Sequence, residues 1–313
     1  MNYKPALMGR SRRCTLLSLT LGLLLLSGYT LVTPAQAQSL KVYLLGTGNP
    51  QPRIDRFGAS ILVEAGGEKM LFDSGRGATI RLAQMGIPVG DANPLFLTHM
   101  HSDHVVGIPD LWLTGWMRGR EIPFQVFGPR GTEEMMLHLD QAYKADIRIR
   151  LSGGTRSLEG VVILVRDIEE GVVYEHGGVK VTAFEVEHGR TKPAFGYRVD
   201  YGGRSVVLSG DTGPSENLIR FSQGVDLLIH EVRLAGPGPG GRGMSHTTPE
   251  EAGEIFTRVK PRLALYSHII PPDAPAKDLI AGTRKTYNGP LEVGEDLMTI
   301  EVGDEIQVRR FTQ

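Results

Sequence analysis

Thr98-His99-Met100-His101-Ser102-Asp103-His104 places three histidines and an aspartate within six residues. Pro94-Leu95-Phe96-Leu97, just before it, is an apolar run of strand length that can deliver the following loop to the edge of a sheet. Side chains two apart in an extended loop point the same way. His99 and His101 can therefore grip one ion while Asp103 and His104 turn toward a second. Imidazoles with a carboxylate suit Zn²⁺ and similar borderline metals.

Three more ligand-type residues follow in order: His188, Asp211 and His268. Each comes after an apolar, β-branched run: Val179 to Phe184, Ser205 to Leu208, and Leu263 to Tyr266. That is the pattern of a sheet whose strand ends and following loops supply a site. With this order of residues the chain resembles the metallo-β-lactamase superfamily. The resemblance implies an α/β fold, the four-layer αββα sandwich. It also implies two divalent metal ions, zinc first and manganese as the alternative. By position, His99, His101 and His188 would hold one ion; Asp103, His104 and His268 would hold the other; Asp211 would bridge them. Two ions sharing a bridging carboxylate bring the pKa of bound water down to about 7. Asp73, after the run Leu71-Phe72, is implied as a support for the metal loop, and capping the helix at 76–85 is its competing role.

His230-Glu231 and Ser245-His246-Thr247-Thr248 resemble the tRNase Z branch, in which such a glutamate and histidine form a proton relay. The implied catalytic residues are Asp103, Glu231 and His246. Leu44 to Pro50, Leu62 to Gly67 and Gly107 to Trp116 resemble most nearly the metal-dependent arylsulfatases of the superfamily. The expected activity is hydrolysis of small anionic esters, an arylsulfatase before a phosphodiesterase or ribonuclease Z-like nuclease. A lactonase and a non-catalytic metal-binding protein are further alternatives. Cations for an anionic ester are sought in Arg56, Arg190 and Lys192, with Arg53 and Arg242 beside them. Trp112 and Trp116, four apart on one helix, suit core packing better than an aryl contact.

Strands are expected at 40–45, 59–63, 69–72, 161–166, 172–186, 195–200, 204–208, 226–229 and 262–266, with two more in 298–309. Helices are expected at 76–85, 104–118, 132–150 and 214–221. Thr248-Pro249-Glu250-Glu251 opens another as a capping box with proline at the first position. Gly236 to Gly243 reads as an irregular loop, with a lid as the alternative.

A formal net charge of -1 over 313 residues argues against a broad basic surface. The stretch 128–176, where a tRNA nuclease usually carries a basic arm, holds more acids than bases, among them Glu133, Glu134, Asp167, Glu169 and Glu170. The expected partner is therefore a small-molecule ester with no nucleic acid, and a homodimer stays open.

Lys4, Arg10, Arg12 and Arg13 precede a leucine-rich run from Leu16 to Val32 and an Ala35-Gln36-Ala37 cleavage site. This reads as a signal peptide over 1–37, exporting a hydrolase domain of residues 38–313 and leaving no stable membrane span; an uncleaved anchor is the alternative. Arg12-Arg13 partly matches a twin-arginine signal. Cys14, the one cysteine, lies in the leader, so the remainder has no thiolate chemistry. N-terminal sequencing of exported protein should begin at Gln38; an intact leader on a membrane-bound product would favour the anchor.

Overall fold

Strands that bury both faces read as long apolar runs, and their side chains alternate between the two faces. The computed structural model describes residues 40–234 and 245–311. The leader and the glycine-proline loop, with Arg242, lie outside the described residues. The strands are β1 (Leu40–Gly46), β2 (Ser60–Ala65), β3 (Glu68–Phe72), β4 (Leu95–Phe96), β5 (Phe124–Gly128), β6 (Ile163–Asp167), β7 (Gly171–His176), β8 (Val179–Glu185), β9 (Phe195–Tyr201), β10 (Arg204–Leu208), β11 (Leu227–Arg233), β12 (Leu263–Ile270), β13 (Leu291–Val293), β14 (Thr299–Val302) and β15 (Ile306–Arg309). The helices are α1 (Ala78–Gln84), α2 (Ser102–Val105), α3 (Ile108–Met117), α4 (Thr132–Ser152), α5 (Glu216–Phe221), α6 (Pro249–Val259) and α7 (Ala276–Thr283).

One sheet has the order β15-β14-β1-β2-β3-β4-β5-β6 and the other β13-β12-β11-β10-β9-β8-β7. Three apolar clusters set the layers. Val42, Phe72, Phe96, Val181, Ile229 and Leu265 meet between the sheets. Leu71 and Leu62 face outward from the first sheet against Leu82, Leu111 and Trp112 of the helices. Val207, Leu228 and Ala264 face outward from the second against Leu218, Ile255 and Leu279. Helices, sheet, sheet, helices is the expected αββα order. Among the described residues no helix is long and apolar enough to cross a membrane.

The expected helix over 104–118 is two helices. Gly107 separates them and packs so closely that a Cβ there would meet Gly75 O at 2.4 Å; Pro109 then begins α3. The run 172–186 is a hairpin that turns at Gly177 and Gly178, both at positive φ. β5, β13 and α7 lacked a clear periodic signal. Trp112 and Trp116 are buried, their Nε1 atoms donating to Val161 O and Ser157 O, so they belong to the core and do not face a substrate.

A buried ion pair ties the loop after β1 and the helix α1 to the segment before β14. Asp296 accepts from Thr47 N and Oγ1, Phe57 N, and Arg81 Nε and NH2, at 2.7–3.1 Å. Thr47 O in turn accepts from Ile269 N at 3.0 Å, one residue beyond His268. Removing one partner of a buried pair typically costs about 3–5 kcal/mol. Asp296→Ala should therefore lower stability by about that much in urea or thermal unfolding, since the Arg81 guanidinium stays buried without its counter-charge. Arg81→Met should cost less, because Thr47 and Phe57 still donate to Asp296.

Candidate metal centre

The site collects at the carboxyl ends of the strands. β10, β11 and β12 run parallel, with Leu208, Ile229 and Leu265 in register; β10 ends there, while β11 and β12 continue and carry Glu231 and His268. Thr98 and His99 follow β4. His101 is the N-cap of α2, which places Asp103 and His104 in its single turn. His188 lies three residues past β8. Asp211 follows Gly210, whose φ of 59° and close approach to Phe195 O, 2.5 Å from an ideal Cβ, demand glycine. His268 sits in a bulge: Glu231 pairs with Ser267 and Val232 with Ile269, and His268 between them has φ 42°. Such backbone is sparsely populated by non-glycine residues and costs of order 1–3 kcal/mol.

The structure brings together all seven residues of the expected set. His99 Nε2 lies 2.9 Å from His101 Nδ1, and His188 Nε2 lies 3.3 Å from the same atom. On the other side, His268 Nε2 lies 3.3 Å from Asp103 Oδ2, and His104 Nε2 3.6 Å from it. Asp211 stands between the groups. Its Oδ2 is 4.0 Å from His99 and 3.9 Å from His188; its Oδ1 is 3.5 Å from His104 and 3.4 Å from His268. His104 Nε2 and Asp211 Oδ1 are buried without a hydrogen-bond partner. Buried polar atoms left so are costly, and converging imidazole lone pairs repel unless a cation lies among them. The donor set fits divalent ions, and this His/Asp cluster is able to bind them.

Asp73, at φ 59°, accepts from Thr98 N and Oγ1 at 2.8 Å, and its Oδ2 faces His104 Nδ1 at 2.7 Å. The N-cap of α1 is Gly77, so Asp73 does not cap that helix. Glu231 Oε1 faces His246 Nδ1 at 3.1 Å and also accepts from Thr212 N and Thr247 N. The edge of His246 meets His188 with ring centres 5.2 Å apart, and it stacks on His268 at 6.1 Å.

Burial pushes the His99 pKa well below its ordinary value, with the neighbouring histidines adding to it. For Asp211 burial works upward, but His268, His104 and His99 outweigh it and hold the carboxyl well below the usual range. His104 is lowered by burial yet raised overall by Asp211 and Asp73. Glu231 is pushed up by burial and by the Asp211 charge. Burial also lowers His246.

The sought cations divide. Arg56 is engaged by the framework, its NH1 donating to Thr47 Oγ1 and Gly294 O. Arg53 pairs with Asp55. Arg190 and Lys192 are exposed on the loop after His188, with Lys192 3.9 Å from Glu187. Thr191, between them, brings Oγ1 to 3.1 Å from His101 Nε2, so this loop borders the cluster. Thr191 and the Ser245 carbonyl carry no ligand-type signal in sequence, and both were missed.

The family model described as a Beta-lactamase superfamily domain matches residues 69–269. The Ribonuclease Z of Mycobacterium sp. (strain KMS) is 35% identical over 282 residues, covering 86% of this chain and 99% of that one. In fold, the metallo-β-lactamase fold protein YhfI of Bacillus subtilis matches with a TM-score of 0.67 at 19% identity, covering 84% of this chain and 100% of that one. The short form of human tRNase Z matches with a TM-score of 0.65 at 21% identity, covering 83% and 98%. These relatives support the tRNase Z side of the expected resemblance and not closeness to arylsulfatases. They also overturn the expectation that nucleic acid is no partner, since full-length relatives are named as ribonucleases. The acid count misled because the acids have local work. Asp167 accepts from Gly131 N and Glu133 N at the start of α4, and Glu170 bonds Glu185 N and Asn217. With the family match and the near-complete alignment, the chain belongs to the metallo-β-lactamase superfamily, with ribonuclease Z homologues.

Proposed function

We propose that this chain is a metal-dependent phosphodiesterase of the ribonuclease Z type, acting on RNA. The observation that carries the reading is the Glu231–His246 contact beside the metal cradle. Bound divalent ions supply Lewis acidity and lower the pKa of water to about 7. His99, His101 and His188 would hold one ion, Asp103, His104 and His268 the other, and Asp211 both; zinc suits the set, with manganese the alternative. With Nδ1 of His246 facing Glu231, the protonated imidazole would present Nε2–H as the transferable proton. A ribose alkoxide is a poor leaving group and needs that proton; a phenolate, as in an aryl sulfate, leaves readily without it. A proton donor built into the site therefore favours the phosphodiester over the aryl sulfate and the lactone. Arg190 and Lys192, exposed on the loop after His188, would meet the substrate's negative charge.

Elemental analysis should give close to two metals per chain, falling sharply in Asp211→Ala. Because Asp211 and Asp73 raise the His104 pKa, metal must displace a proton there. Chelator competition should accordingly show weaker metal binding as pH falls from 8 toward 6.

A substrate panel of 3′-extended precursor tRNA, a nitrophenyl phosphodiester, a nitrophenyl sulfate and a lactone tests the assignment. Precursor tRNA and the phosphodiester should be turned over well; sulfate turnover exceeding both would restore the arylsulfatase reading. His246→Ala should slow esters of poor leaving groups by roughly 10²–10⁴-fold and nitrophenyl esters much less. Equal losses across leaving groups, with metal also lost, would make His246 a ligand or a structural residue.

A further inference from the structure

An imidazole that ligates metal through one nitrogen needs an acceptor for the other, which fixes its tautomer. Four histidines of the cradle have one. His99 Nδ1 faces Thr98 Oγ1 at 3.0 Å, His101 Nε2 faces Thr191 Oγ1 at 3.1 Å, His104 Nδ1 faces Asp73 at 2.7 Å, and His188 Nδ1 faces Ser245 O at 2.7 Å. His268 is the exception. Its Nε2 points into the cradle, and its Nδ1 is buried with no hydrogen-bond partner.

Glu231 shows the complementary deficit. Oε1 faces three donors, while Oε2 is buried and unpartnered. The strand register sets Glu231 opposite Ser267, the neighbour of His268. Glu231 and His268, 2% and 6% exposed, line one cavity of about 40 Å³, together with Ser60, Ser209 and Ser267. A buried water needs roughly 10–15 Å³ and 2–4 polar partners. The cavity has the room; of the five unpartnered polar atoms on its lining residues, His104 Nε2 and Asp211 Oδ1 belong to the metal cradle, and His230 Nε2, Glu231 Oε2 and His268 Nδ1 remain for a water.

We infer that this cavity binds one ordered water, which accepts from His268 Nδ1–H and donates to Glu231 Oε2. Glu231 is then a positioning residue for two histidines: His246 directly, and the metal-facing His268 through the water. The inference rests on reading His268 as a metal ligand, and it is independent of which ester is cut.

Glu231→Gln keeps the shape of the side chain. Its amide oxygen can still accept from Thr212 and Thr247, which turns the amide NH₂ toward the cavity and removes the water's acceptor. Chelator competition on the zinc-loaded variant should show one of the two zinc affinities weakened by about 10–100-fold, the usual effect of losing a partner that orients a ligand. His246→Ala, which removes the other histidine served by Glu231, should leave both affinities as in the wild type. Retention of both affinities in Glu231→Gln, or an equal loss in His246→Ala, would overturn the inference. A high-resolution crystal structure of the zinc-loaded wild type should show the water within hydrogen-bond distance of both atoms; a cavity without it would overturn the inference equally. Neither measurement uses a substrate, so failure of the ribonuclease assignment would leave both results standing.

Discussion

Asp211 is the constraint around which the rest is organised. It is a fully buried carboxylate, and its two oxygens face different groups of imidazoles. Desolvation alone would neutralise it; His268, His104 and His99, each within about 4 Å, keep it ionised. Those histidines cannot all be protonated at such distances, so protons supply only part of the balancing charge. The cluster is able to bind metal ions, and the framework holds its side chains together against the mutual repulsion of the imidazoles. A metalloenzyme arranged in this way has little reorganisation left to do when metal enters.

Holding that arrangement strains the backbone at two points, Asp73 at φ 59° and His268 at φ 42°. Each is over-determined by its surroundings. Asp73 N donates to Phe96 O, and its side chain receives Thr98 and faces His104. Around His268 the β12 bulge is pinned by Ile269, whose N donates to Thr47 O and whose O accepts from Asn49. Thr47 is fixed by Asp296, and Asp296 by Arg81. A buried ion pair far from the chemistry therefore sets the position of a cradle residue through three contacts in series.

The cluster was legible in sequence because four of its members are local and the rest end apolar strand-like runs. The four-layer order was not readable from periodicity, since a two-sided apolar strand does not say which sheet it joins. Helix breaks at Gly107 and the turn at Gly177-Gly178 escaped because the conflict lies in tertiary packing and in a two-residue turn inside one apolar run. Arg56 looked like a substrate cation, yet its partners come from residues 47 and 294, which only folding brings near. The acids of 128–176 misled for a related reason: a count of charges cannot tell a helix cap from a repelling surface, and Asp167 is a cap.

The two carboxylates just outside the cradle, Asp73 and Glu231, differ in how far their partner imidazoles are open to solvent. Both are buried, and each faces an imidazole Nδ1. The histidine that Asp73 faces, His104, has its other nitrogen fully buried in the cluster, so that imidazole is closed to solvent on its far side. The histidine that Glu231 faces is half-buried, its side chain about 19% exposed. Its other nitrogen can therefore meet a leaving oxygen. The same acid–imidazole pair is sealed in one place and reachable in the other, and access to the imidazole's far side is what differs. The demand for such a proton rises with the basicity of the departing oxygen, so under the proposed function this pair would serve an alkoxide leaving group.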